Sequence, residues 1–207
     1  MSLAAGLAEG LERLDLPLPP DTQAKLLEFM ALVTKWNRVY NLTAVREPEK
    51  MLAHHVLDSL AVAPHLTANT ILDVGSGAGL PGIPLALARP HSAVTLLEAS
   101  HKKSAFLQQA AIELALDNVD VVNARVEKWD TRNHYDVVIS RAFSDLAEFV
   151  SLAGRLCAGS GVLAAMKGVH PYEELAQLPA SHRVQAIVRL NVPGLSAERH
   201  LVLVERA

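Results

Sequence analysis

With 207 residues, half of them apolar, the chain has material for one α/β domain with a short extension, and not for two full domains. A formal net charge of −3 argues against blanket affinity for nucleic acid but leaves room for a local basic face. One cysteine, Cys157, excludes an intrachain disulfide and any multi-cysteine zinc site, and fits a reducing cytosol.

In chain order, residues 1–69 read as helical, with helices over Leu3 to Leu14, Asp21 to Val39 and Pro48 to Ala63. Pro17-Leu18-Pro19-Pro20 separates the first two, and Asp21 offers an N-cap for the second. Glu9 and Glu12 stand where a signal peptide would carry a basic and then an apolar run, so no such segment is expected. The longest apolar stretches are cut by Pro81, Pro84 and Pro90, so no membrane span is expected and the chain reads as a soluble, cytoplasmic protein. Beyond residue 70, strands near 70–74, 93–98, 118–123, 135–140 and 161–167 alternate with helices near 82–89, 101–115, 145–156 and 171–177. Val94 to Leu97 and Val137 to Ile139 are near-continuous apolar runs, as strands covered on both faces require. The end differs: Arg183 to Asn191 and His200 to Glu205 read as strands, and Pro193-Gly194 between them suits a hairpin. The fold class expected is thus a doubly wound, Rossmann-like α/β sheet, mostly parallel, with an antiparallel C-terminal hairpin and an N-terminal helical extension.

The most informative stretch is Ile71 to Gly82, an apolar strand running into a turn with four glycines in eight positions. Glycine removes the Cβ where backbone must take positive φ or let a ligand approach. Gly77-Ala78-Gly79-Leu80-Pro81-Gly82 satisfies the literal dinucleotide fingerprint. Read from Asp73, the same residues give Asp-x-Gly-x-Gly-x-Gly, the pattern of S-adenosylmethionine-dependent methyltransferases. Placement favours the second reading. Gly77 comes late after the strand, and a carboxylate at the strand end suits a ligand with ammonium and sulfonium charge better than a pyrophosphate.

Other residues follow from that sheet. Glu98, at the end of the second strand, is placed to accept hydrogen bonds from ribose hydroxyls. Ala124 to Glu127, after the third strand, lie where an adenine would sit. Ser140-Arg141-Ala142-Phe143 ends the fourth strand, where donor and acceptor should meet, and lacks the Asp/Asn-Pro-Pro-aromatic motif of amino-group methyltransferases. Ring-carbon methylation of pyrimidines needs a cysteine nucleophile, and Cys157, expected at a helix end away from the strand tips, reads as a small core residue. An acceptor that is already nucleophilic, such as guanine N7, fits these absences. Arg141 can hydrogen-bond guanine O6 and N7 or hold a phosphate, so its role is positioning with no general base. Lys167 and Arg199 are candidate phosphate contacts and His200 a candidate binding residue; solvated surface positions explain all three as well. Over 35–55, Lys35, Arg38, Arg46 and Lys50 exceed the acids by two, with Trp36 and Tyr40 interleaved. RNA contact and packing of a helix end on the sheet both account for that segment. Adjacent His54 and His55 point about 100° apart on a helix and have no companion ligands in sequence, so no metal is expected.

Trp36 to Thr43, His55-Val56-Leu57-Asp58-Ser59, Leu72 to Pro84, Ser140-Arg141-Ala142-Phe143 and Glu198-Arg199-His200-Leu201 together resemble the bacterial RsmG family, also called glucose-inhibited division protein B. The match in motif order runs from about Leu26 to the C-terminus; earlier residues match loosely. The resemblance implies transfer of methyl from S-adenosyl-L-methionine, leaving S-adenosyl-L-homocysteine, to N7 of one guanine in 16S ribosomal RNA of the small ribosomal subunit. It implies cofactor contacts by Gly75, Leu80, Val126, Glu127 and Arg141, with Glu98 where many relatives place aspartate. Asp73, Ser76, Gly77 and Gly79 of the turn complete the expected donor site. Residues 70–207 then form the S-adenosylmethionine-dependent methyltransferase domain and 1–69 its helical extension. A small-molecule methyltransferase, an NAD-binding oxidoreductase and a non-catalytic RNA-binding factor remain the alternatives.

Overall fold

The computed structural model describes residues 2–141, 143 and 145–207. Ala142 of the expected strand-end motif therefore lies outside the described residues. Seven strands form one sheet: β1 (Thr70–Val74), β2 (Ala93–Glu98), β3 (Val119–Asn123), β4 (Tyr135–Ser140), β5 (Cys157–Lys167), β6 (His182–Arg189) and β7 (His200–Arg206). Their order is β3-β2-β1-β4-β5-β7-β6. The first five run parallel, and β7 then pairs antiparallel with both β5 and β6. The chain steps outward from β1 in one direction to β2 and β3, then returns to place β4 on the other side. Such a reversal opens a crevice at the carboxyl ends of β1 and β4.

Both faces of the sheet are buried along the interior strands β1, β2 and β4, which explains their unbroken apolar runs. Ile71, Val94, Leu96, Val137 and Ile139 face one core. Their neighbours Leu72, Leu97, Val138, Leu163 and Ala165 face the other. Helices α1 (Leu3–Arg13), α2 (Pro20–Tyr40), α5 (Gly82–Ala88) and α6 (His101–Glu113) cover the first face. Helix α7 (Leu146–Ala153) covers the second, and a short α8 (Tyr172–Leu175) packs beside it. Phe29, Leu26 and Leu7 of the N-terminal helices share a core cluster with strand residues Ile71 and Val94. Among the described residues, no helix is long and apolar enough to cross a membrane.

Three local expectations are corrected. Helix α2 begins at Pro20, whose fixed φ suits the first helical position, so Asp21 lies inside the first turn and is not the N-cap. The uniform helix expected over Pro48 to Ala63 is α3 (Pro48–Met51), a π turn over Leu52–Leu57, then α4 (Asp58–Leu60) and a 3-10 turn over Ala63–His65. Strand β5 begins at Cys157, so this residue opens a strand and does not end a helix. The pairing jumps from Tyr135↔Cys157 to Val137↔Val162, and a Cβ on Gly161 would stand 2.8 Å from the carbonyl oxygens of Tyr135 and Asp136. Glycine permits that close approach at the irregularity.

Candidate active site

The glycine turn closes over the end of β1 through hydrogen bonds that need its small residues. Gly75 and Ser76 donate their N–H groups to the Leu97 carbonyl at 2.8 and 3.2 Å, and Gly79 and Leu80 donate to the Ser76 carbonyl. Gly79 has φ +83°, and a Cβ there would lie 2.6 Å from Ile83 Cδ1. Beside the turn lies a cavity of ≈ 230 Å³ lined by Val74, Gly75, Leu97, Ala99, Ala124, Arg125, Val126, Glu127 and Phe143. Its walls are mainly apolar, with a charged edge from Arg125 and Glu127. Arg155 donates from Nη2 to the carbonyls of Val126 (2.8 Å) and Trp129 (2.7 Å), fixing the turn that forms the far wall.

Not every expected donor residue reaches this cavity. Gly75, Val126 and Glu127 do. Ser76, Gly79 and Leu80 are buried, and Ser76 spends its hydroxyl on the Asp73 carbonyl at 3.0 Å. Gly77, partly exposed, donates its N–H to Glu98 Oε2 at 2.8 Å. Glu98 also accepts the Ser100 N–H on Oε1 at 2.7 Å, so its carboxylate clamps two loops as well as ending β2. Asp73 is fully buried on the face away from the cavity, because strand side chains alternate and Val74 takes the cavity side. Its Oδ2 accepts the Gly82 N–H at 3.0 Å, while Oδ1 has no partner among the described residues. Burial pushes its carboxyl up to about 7, against the pull of the Gly82 hydrogen bond. The acidic side chain expected at the strand end beside a cationic ligand is thus turned from this cavity onto the Gly82 N–H.

A second cavity, of ≈ 330 Å³, opens beside Arg141, the residue after β4. Val45, His54, His55, Asp58, Arg141, Met166, Lys167, Gly168 and Arg199 line it. Arg141 Nη1 donates to the His54 carbonyl (3.1 Å) and approaches Asp58 Oδ2 (3.4 Å). Arg199 Nε donates to Asp58 Oδ1 at 3.0 Å. Burial raises the Asp58 carboxyl, and the two guanidiniums beside it act in the opposite direction. The His54 carbonyl and Asp58 come from the π turn and the residue directly after it. Such turns often occur at functional sites.

His55 is buried and its Nε2 lies 2.8 Å from Thr43 Oγ1. Burial lowers its pKa to about 4, so it is neutral at physiological pH. Asn37 braces Thr43 through the Thr43 N–H and carbonyl, while Trp36 packs on Tyr40 and Phe106 with ring centroids 5.2 and 5.7 Å away. The aromatics of the 35–46 segment therefore pack, and its cations Lys35 and Arg38 are exposed on the surface.

Lys167 and His200 need correction as surface contacts. Both are buried, because they pair with each other across β5 and β7 inside the sheet. The Lys167 ammonium lies 2.6 Å from Glu174 Oε2 and donates to the Phe143 carbonyl at 3.2 Å, so its charge is already compensated. Arg199 lines the cavity with part of its side chain exposed. Among the described residues, no group of three or more His, Cys, Asp or Glu is placed to hold a metal ion. Sequence spacing gave no signal for Asp58 or Arg155, whose partners are far away in the chain, nor for Glu174, seven residues beyond Lys167; Asp58 was visible only inside a resembling motif.

Residues 22–202 match the family model GidB, described as rRNA small subunit methyltransferase G. A ribosomal RNA small subunit methyltransferase G from Nitrosospira multiformis is 58% identical, covering 100% of this chain and 99% of its own. One of the same name from Laribacter hongkongensis is 54% identical over 98% of both chains. Among solved structures, the O-methyltransferase TomG from Streptomyces achromogenes, in complex with SAM, is similar with a TM-score of 0.59 at 17% identity, over 100% of this chain and 99% of that one. M. jannaschii TYW2 in complex with AdoMet gives 0.53 at 16% identity over 67% and 69%. At such identities the structural likeness establishes the fold.

Proposed function

We propose a function from one established premise: the chain belongs to the family described as rRNA small subunit methyltransferase G. It transfers a methyl group from S-adenosyl-L-methionine to ribosomal RNA of the small subunit, at N7 of a guanine, in the cytoplasm where ribosomes are assembled. The observation that carries this reading is the pair of cavities at the carboxyl ends of the parallel strands, one apolar beside the glycine turn and one lined by Arg141 and Arg199. The first fits an adenosine: apolar walls from Val74, Leu97 and Val126 suit a ring, and Gly75 leaves its floor without a side chain. Val126 and Glu127 would read the base edge, and Glu98 would take ribose hydroxyls on lone pairs not used by Gly77 and Ser100. Bound S-adenosylmethionine supplies an electrophilic methyl on its sulfonium.

The chain's own residues orient and bind. Arg141 spends Nη1 on His54 and Asp58, leaving Nε and Nη2 to hold guanine O6 or a phosphate while N7 stays free. N7 carries a lone pair and no proton, so positioning suffices and no base is required. Cys157 is no nucleophile for this cleft: it lies buried at the start of β5, the end opposite Lys167, and burial pushes its thiol up to about 11. The test is transfer of labelled methyl to RNA from small subunits lacking the modification. Label in guanine supports the reading; donor binding without label in any RNA refutes it.

A further inference from the structure

We propose that Asp58 is a positioning residue for methyl transfer, one carboxylate that ties Arg141 at the end of β4 to Arg199 before β7. The proposal rests on reading this cleft as the meeting place of methyl donor and RNA acceptor. Arg141 and Arg199 lie 83 and 141 residues from Asp58 in the chain, so only the fold brings them together. Asp58 Oδ1 takes Arg199 Nε and Oδ2 takes Arg141 Nη1, which divides the two oxygens between the two arginines. A backbone carbonyl steadies each guanidinium from a second side, His54 for Arg141 and Glu198 for Arg199.

Exposure is graded across the cluster. The Asp58 side chain is 3% exposed, while Arg141 and Arg199 are 27% and 22% exposed. The carboxylate thus forms the back of the cleft and the two cations its front. Lys167 and Glu174 offset each other, and His55 is neutral, so the one carboxylate against two guanidiniums leaves an excess positive charge facing the opening. That excess suits an RNA phosphate or the oxygen edge of a base. Two long side chains that must meet one substrate lose precision unless something fixes their rotamers. Asp58 supplies that restraint from the helical segment, while the arginines come from the sheet domain.

The experiment measures steady-state methyl transfer by the full-length chain to unmodified small-subunit RNA. Asp58→Asn should lower kcat by about 10²-fold, the scale expected for a misplaced reactant. The KM values for donor and RNA should each change by less than about threefold, since the arginines remain to bind. Arg199→Lys keeps a cation but loses the Nε contact, and its kcat should fall likewise. The double variant should then be no slower than Asp58→Asn alone within about threefold, because removing the carboxylate's charge already breaks the Arg199 contact. A kcat within about threefold of wild type for Asp58→Asn, or losses that multiply in the double variant, overturns the proposal. Should Asp58→Asn fail to fold, Arg199→Lys decides alone, with an unchanged kcat overturning it. No transfer to RNA by the wild-type chain refutes the functional reading, and the proposal falls with it.

Discussion

Asp73 and Arg141 show how differently two charged residues at neighbouring strand ends behave. Asp73 is sealed behind the turn, and its displaced titration makes a stability prediction. A carboxyl whose folded pKa is raised favours the folded state while both forms are protonated, and that contribution is lost as pH rises from 3.8 to about 7. The difference in unfolding free energy between the wild type and Asp73→Asn should therefore decline over that window and level off above it. Urea melts at a series of pH values check this, and a flat difference curve would contradict it. His55 works in the opposite sense: its lowered pKa contributes stability that is lost as pH falls from 6.5 toward about 4. Arg141 faces the cleft, and Arg141→Ala should cut kcat by about 10²-fold or more while costing about 1–2 kcal/mol of stability, since Asp58 keeps Arg199. Turnover near the wild-type rate, measured beside a denaturant midpoint, would remove Arg141 from the site.

Short connecting elements, more than strands, decide which parts of the site the sequence could reveal. Strand positions and the glycine turn were legible, because apolar runs and glycine spacing report local backbone demands. The π turn over Leu52–Leu57 was not, since no residue pattern distinguishes it from an ordinary helix. Nor was the Arg155 brace of Val126 and Trp129, which joins positions 29 and 26 residues apart. Arg155→Ala should weaken S-adenosylhomocysteine binding by about tenfold, the equivalent of losing 1–1.5 kcal/mol of hydrogen bonding, in a calorimetric titration. Gly82 makes the sharper packing claim. A Cβ there would stand 2.2 Å from Leu96 Cδ2 and 2.7 Å from Asp73 Oδ2, so Gly82→Ala should destabilise by about 1–3 kcal/mol, or more if β1 cannot shift. A thermal midpoint unchanged by that substitution would contradict the tight fit of α5 on β1.

For the whole molecule, the reversal of strand order beside β1 gathers residues from both sheet halves and from the helical segment into two cavities at the carboxyl ends of the parallel strands. The family and its sheet topology could be inferred from motifs; the partition of roles could not. Residues expected to touch the donor divide into cavity walls (Gly75, Val126, Glu127), clamps (Glu98) and packing (Ser76, Gly79, Leu80), a division set by three-dimensional exposure. Likewise Lys167, expected as a phosphate contact, lies buried in an ion pair with Glu174 while lining the second cavity. RNA affinity, carried by the arginines and the exposed Lys35 and Arg38, should weaken with added salt. The central claim is methylation of guanine N7 in small-subunit RNA, and mass mapping of that RNA from cells with and without the protein tests it most directly. The account predicts one guanine carrying an extra methyl on N7 only when the protein is present; an identical modification map in both, or a methyl on another atom, would contradict it.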